Sequence, residues 1–262
     1  MGLASIAPSP DGHVWAQQQA DVGRDGWGSV RSGMLGGVWR DLPAARFAHV
    51  LFDLDGTIAN SQLGIVRCLQ HGFAECGLPV PPEGELVAII GPPFSIALKR
   101  FELDDATVAK VIEAYRARYL PIGMYEAEIY PGVGELVHHL HQRGVVVALA
   151  TSKPEPFAER IVEHFGVRDA LTVVAGATFD DVRSAKADVV AHALAQLPAA
   201  DASNTVMVGD REHDILGAAA HGLRAIGVTW GFGERRELEA AGAWAVVDDA
   251  AALEALLLDS ER

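Results

Sequence analysis

The chain has 262 residues, half of them hydrophobic and 21% charged, the balance of a globular protein long enough to bury a sizeable core. Its 21 lysines and arginines against 35 aspartates and glutamates give a formal net charge of −14, which repels nucleic-acid polymers and anionic membrane surfaces and leaves any anionic substrate in need of a locally positive pocket. No apolar run approaches the ~20 residues that span a bilayer, and the first ten residues lack the basic cluster and apolar stretch of a secretory signal, so a cytoplasmic protein without a membrane partner is expected.

Residues 1–46 are rich in Gly, Ser, Gln and Ala, with Trp15, Trp27 and Trp39 at no regular period. They are expected to form a poorly ordered tail, with a docking segment as the alternative. From Ala48 the pattern changes. AHVLFDLDGT is a short apolar run ending in a polar, glycine-containing turn, the form of a buried parallel strand. The next stretch has helical spacing: Ile65, Leu69 and Phe73 mark one helix, and Val108, Val111, Ile112 and Tyr115 another, with the prolines of GPPF (Gly91 to Phe94) breaking the insert between them. Residues 63–126 are therefore expected to form a small helical cap over a core made of residues 47–62 and 127–262. The two cysteines, Cys68 and Cys76, fall in the first of these helices about 12 Å of rise apart, too far to bridge, and are read as reduced packing residues.

Beyond the insert, VVVALATS (Val145 to Ser152), LTVVAGA (Leu171 to Ala177), TVMVGD (Thr205 to Asp210) and RAIGVTW (Arg224 to Trp230) repeat the buried-strand form with helical stretches between them. That alternation predicts an α/β fold with a doubly wound parallel sheet. The final run, AALEALLL (Ala251 to Leu258), has the spacing of an amphipathic helix closing the core. In open sheets of this kind ligands bind beyond the carboxyl ends of the strands, where three of these runs end in Asp, Thr-Ser and Gly-Asp.

Four features at those ends carry chemistry. In DLDGT, Asp53 and Asp55 are brought to one pocket by the turn begun at Gly56. One carboxylate can attack phosphorus while the other donates a proton to the leaving oxygen and later takes one from water, roles given to Asp53 and Asp55 in that order. Two aspartates by themselves are read equally well as an acidic turn. In GDREHD, Asp210 and Asp214 share a face at a helix start and can hold Mg²⁺ together with Asp53, or else belong to a capped helix. In ATSKP, Thr151 and Ser152 offer hydroxyl and backbone N–H groups to a phosphate oxygen. Lys186 would ordinarily be a solvated helix charge. Its place between ATSKP and GDREHD suits it instead to neutralising the oxygens of a transferring phosphoryl group.

In this order on strand ends, these features resemble the haloacid dehalogenase superfamily, in the branch with a helical cap after the first motif, from about Ala48 to the end of the chain. The resemblance implies a Rossmann-like core and Mg²⁺ as cofactor. It also implies that Asp53 is nucleophile and metal ligand, and that Asp55 is acid/base with its backbone carbonyl on the metal. Thr151 would bind phosphate with Ser152 adjacent, Lys186 would orient nucleophile and phosphate, Asp210 would ligate the metal directly and Asp214 would support it. Members using carbon–halogen chemistry lack the second aspartate, so Asp55 implies phosphate-ester hydrolysis. IGPPF, the YPGV turn at Tyr130 to Val133, ATSKP and IGVTWGFGERREL are similar to the phosphoglycolate phosphatase-like subgroup. A small phosphorylated metabolite is the implied partner, phosphoglycolate first and a nucleoside monophosphate second, in a monomer or homodimer. A phosphotransferase and an interaction module retaining the phosphate site stand as further alternatives.

Overall fold

Four consecutive buried residues, His49–Phe52, form strand β1, and everything that positions the site is arranged around it. The computed structural model describes residues 45–180 and 182–258. The expected tail therefore lies outside the described residues except for its last two. In chain order, β1 is followed by β2 (Ala59–Asn60), α1 (Gln62–Glu75), α2 (Glu83–Val87), α3 (Phe94–Ala97), α4 (Asp105–Tyr119) and β3 (Glu128–Ile129). Then come α5 (Val133–Gln142), β4 (Val146–Pro154), α6 (Glu155–His164), β5 (Val173–Ala177), α7 (Lys186–Gln196) and β6 (Thr205–Gly209). The chain closes through α8 (Glu212–Ala219), β7 (Arg224–Val228), α9 (Arg235–Ala240), β8 (Ala245–Val247) and α10 (Ala250–Leu258).

The six-stranded sheet has the order β5-β4-β1-β6-β7-β8, and all its pairings are parallel. Strands of such a sheet are covered on both faces, which is why they read as unbroken apolar runs. Successive residues of β1 serve opposite faces: Val50 and Phe52 join one core cluster with α5 and the insert, whereas Leu51 joins the other with Val189, Met207 and Ile215. From β1 the chain runs out to β4 and β5 on one side and returns to β6, β7 and β8 on the other, so the order reverses at β1. Such a reversal opens a crevice at the carboxyl ends of the central strands.

The short strands β2 and β3 are not marked by any apolar run, and β8 ends a short one, Ala243 to Val247, that was not assigned as a strand. β8 is a half-buried edge strand of three residues, too short to show a period. β2 and β3 pair antiparallel through Ala59 with Ile129 and Asn60 with Glu128. The chain thus leaves and re-enters the sheet through two adjacent strands, and the helical insert runs between them. Within it α1 buries Ile65, Leu69 and Phe73 against Val108, Val111 and Tyr115 of α4. The two helices approach so closely that a Cβ on Gly72 would lie 2.7 Å from the Val111 carbonyl oxygen. The Asp104 side chain caps α4 by accepting from the Thr107 N–H. Cys68 sits buried in α1 and accepts from Arg118, while Cys76 lies just past the end of the helix rather than within it; both thiols are free. Among the described residues no helix is long and apolar enough to cross a membrane.

Candidate active site

The site begins where β1 stops. The Asp53 N–H still donates to the Val208 carbonyl, 2.9 Å away, so the first residue after the strand is held in sheet register. The chain then turns tightly, with the N–H groups of Thr57, Ile58 and Ala59 all donating to the Leu54 carbonyl. Gly56 adopts φ +88, and a Cβ there would come within 2.1 Å of Asp210 Oδ2. Only glycine gives both the left-handed backbone and the room for Asp210 to close on the turn.

Asp210 follows β6. Its Oδ2 accepts the Phe232 N–H at 2.7 Å, and its Oδ1 accepts from the Thr57 hydroxyl at 3.3 Å. Asp214 stands in the first turn of α8, where Oδ2 accepts the Arg211 N–H and Oδ1 lies 2.7 Å from Lys186 Nζ. Lys186 opens α7. Its ammonium is also 2.7 Å from Asp53 Oδ1 and donates to the Ala150 carbonyl at 3.2 Å. Asp53, Asp210 and Asp214 each present a carboxylate oxygen, all within 4.8 Å of one another and all from buried residues. The donor set is oxygen only, with neither imidazole nor thiolate, which fits a hard divalent cation.

The electrostatics point the same way. Three carboxylates lie buried together, and two of them, Asp53 and Asp214, share the Lys186 ammonium. Burial, with the repulsion of Asp214 and Asp53, holds Asp210 well above the usual carboxylate range. Burial also pushes Asp53 up to about 6; the Lys186 ammonium opposes the rise, and Asp214 and Asp55 add to it. Burial alone would discharge Lys186, but Asp214 and Asp53 outweigh it and hold the amine above its ordinary value.

Asp55 is not in this cluster. Its Oδ2 lies 2.6 Å from Lys153 Nζ, and its Oδ1 is buried without a hydrogen bond. Thr151 is buried on β4, its hydroxyl accepting the Lys153 N–H, and Ser152 is half-buried beside them. Ser152, Asp55 and Lys153 face a cavity of about 100 Å³ whose other wall comes from the insert, including Phe94, Tyr115 and Tyr119. Lys153 is not among the site residues expected from the sequence. Its signal was its place inside ATSKP, but only the continuation of β4 to Pro154, with an irregular pairing to β5 after Ala150, shows that the fourth residue of that motif turns inward. Arg211 was missed as well: it joins the two sides by donating to the Ile90 carbonyl and to Glu237.

Residues 50–228 match the family of haloacid dehalogenase-like hydrolases. The chain belongs to that family. Among its relatives is the tyrosine-protein kinase PtkA of Mycobacterium tuberculosis, 45% identical over 185 residues, a match covering 70% of this chain and 62% of the relative, so the alignment spans less than two thirds of that kinase. A 5'-nucleotidase of Pseudomonas aeruginosa is 36% identical over 75% of this chain and 89% of its own length. A phosphoglycolate phosphatase of Agrobacterium fabrum is 30% identical over 80% of this chain and 91% of its own. The haloacid dehalogenase-like fold thus agrees with the resemblance drawn from the four motifs.

Proposed function

We propose that this hydrolase is a Mg²⁺-dependent phosphatase that cleaves a small phosphate monoester through an aspartyl-phosphate on Asp53. The observation that carries the reading is the meeting of Asp53, Asp210, Asp214 and Lys186 at the carboxyl ends of the strands, with Asp55 held apart from them by Lys153. Asp53 and Asp210 would hold the cation directly, with the Asp55 carbonyl, and Asp214 would support it. When bound, Mg²⁺ supplies charge that offsets the carboxylates and polarises the phosphoryl oxygens.

The chain's own groups do the rest. Asp53 attacks phosphorus while Lys186 neutralises charge on the equatorial oxygens. Thr151 and Ser152 bind a phosphoryl oxygen. Asp55, outside the cluster and kept in place by Lys153, gives a proton to the leaving oxygen and then takes one from the water that opens the acyl phosphate. The helical insert, residues 63–126, acts as a cap that keeps bulk water from the intermediate. The protein works in the cytoplasm as a monomer or homodimer.

Phosphoglycolate and nucleoside monophosphates are the substrates that the resemblance and the relatives bring forward. A second reading, a phosphotransferase passing the group from Asp53 to a hydroxyl other than water, draws support from the 45% identity to a protein kinase. Phosphate release from a panel of monoesters with Mg²⁺, run beside Asp53→Asn, tests the first reading. Turnover should disappear in the variant, since an amide is a far weaker nucleophile than a carboxylate. Absence of phosphate release from every ester overturns hydrolysis, and label transfer to an added acceptor in competition with hydrolysis separates the second reading from it.

A further inference from the structure

We propose that the leaving-group side of this site is built for an aromatic ring bonded directly to the ester oxygen, which makes aryl phosphates the preferred substrate class. The inference rests on the phosphatase reading, because it uses Asp55 as the acid that meets the leaving oxygen. Whatever lies beyond Asp55, away from the carboxylate cluster, is then the space for the leaving group.

That space is the cavity of about 100 Å³ between the insert and the core. An apolar cavity of about 150 Å³ takes up benzene, so a space of this order leaves room for at most about one ring. Its wall is aromatic from the start. Lys153 Nζ, in contact with Asp55, lies 5.0 Å from the centre of the Tyr119 ring. Tyr119 stacks on Tyr115 with centroids 5.1 Å apart, and Phe94 meets Tyr115 edge-on at 5.0 Å. Phe157, from the core side, packs on Tyr119 at 5.7 Å, and Ile65 and Ile112 complete the apolar lining. Rings arranged in this way favour a further ring in edge-to-face or offset contact.

Two residues that line this space, Asp55 and Tyr119, each carry a buried polar atom without a hydrogen bond of good geometry, Asp55 Oδ1 and the Tyr119 hydroxyl. Groups of this kind are rarely left without a partner in a folded protein. A phenolic ester oxygen accepting from Asp55 supplies one partner. The Tyr119 hydroxyl, with the Lys153 ammonium beside it, suits an oxygen of the same ester group. A sugar placed directly after the phosphate would instead set its hydroxyls against the Tyr115, Tyr119 and Phe157 rings. At the outer end Arg116 lines the cavity and makes no ion pair with a carboxylate among the described residues; its guanidinium lies 5.0 Å over the Phe179 ring. It suits an acidic or carbonyl substituent on the far side of the substrate ring.

The reaction balances without a further reagent. The Asp53 carboxylate forms a bond to phosphorus as the bond to the aryl oxygen breaks, and the aryloxide takes the Asp55 proton and leaves as a phenol. Water then attacks the aspartyl-phosphate, gives its proton back to Asp55 and releases inorganic phosphate with Asp53 restored.

The test compares kcat/KM of the full chain with Mg²⁺ for phenyl phosphate, a phosphotyrosine-containing acidic peptide, phosphoglycolate, a nucleoside 5'-monophosphate and acetyl phosphate. At least one of the two aryl esters should exceed both phosphoglycolate and the nucleotide by tenfold or more. Preference for phenyl phosphate identifies a free small molecule as the source, and preference for the peptide identifies a protein side chain. Ile112→Trp, which fills the cavity, should lower the ratio of aryl to acetyl phosphate turnover at least tenfold, in a variant shown to be folded by its melting transition. Phosphoglycolate or the nucleotide as the best ester, or an unchanged ratio in a folded Ile112→Trp, overturns the inference while leaving the phosphatase reading intact. Absence of phosphate release from all five overturns that reading itself.

Discussion

Two lysines are buried in this site, and they differ in what surrounds them. Lys186 is shared by Asp53 and Asp214 and tied to the Ala150 carbonyl, all on core elements next to the sheet. Lys153 has one carboxylate, Asp55, and an aromatic neighbour from the insert, Tyr119. In both, burial works against the ammonium and carboxylates overcome it, so both amines stay above their ordinary value. The first is therefore a fixed part of a charge cluster that exists whether or not the insert moves. The second stands at the seam, and one of its contacts is lost if the insert opens.

The sharpest way to break this comparison is Lys186→Met. Asp53 and Asp214 lose the cation they share, and removing one partner of a buried pair costs about 3–5 kcal/mol. Turnover should fall by about three orders of magnitude, since the positive charge on the transferring group goes with it. Thermal melting should show the loss most strongly in chelator, with Mg²⁺ restoring part of it because the cation takes over the neutralisation. A melting temperature equal to wild type in chelator would mean that the cluster does not depend on Lys186.

Lys153→Met should have a smaller and different effect. Methionine keeps most of the volume against Tyr119, so the packing survives while Asp55 loses its partner. We expect kcat to fall by about 10- to 100-fold, within the range of a misplaced general acid, and more for esters with poor leaving groups than for aryl esters, whose phenol has a pKa near ~10. Equal losses on both ester types would show that Lys153 serves folding and not the positioning of Asp55.

The same contrast explains what could be read in the sequence. Asp53, Asp210, Asp214 and Lys186 each stand on or beside a long buried run or its following helix, so strand periodicity and motif order brought them to one edge before any contact was seen. Asp55 and Lys153 stand in the same motifs, yet their pairing depends on a nine-residue β4 that continues past the expected end at Ser152. The ring wall was harder still. Tyr115 carried helical spacing and read as core, and nothing local distinguishes a tyrosine facing α1 from one facing a cavity. Strands of two or three residues, β2, β3 and β8, hold too few side chains for any period. The ribbon that brackets the insert was invisible for that reason.

A partly exposed ion-pair cluster inside the insert provides the scale against which both buried lysines are judged. Glu126 accepts from Arg118 at 2.7 Å and from Arg67 at 2.8 Å, joining α4 and α1 to the segment that leads into β3. The Arg118 guanidinium, against some cost of burial and with help from Arg67, holds the Glu126 carboxyl below its usual value. A carboxyl depressed in the folded state stabilises it above the unfolded pKa of ~4.3, and that contribution fades as pH falls through the lower folded value. Because the arginines are partly exposed, solvent screening limits the gain to about 1 kcal/mol. Glu126→Gln should therefore unfold at a slightly lower urea concentration than wild type at pH 7. The two curves should merge when the titration is carried well below pH 4, and salt should narrow the gap at neutral pH. A gap that persists unchanged in acid would assign the effect to packing where the insert leads into β3 rather than to charge, and it would remove Glu126 as the partly exposed reference for Lys186 and Lys153.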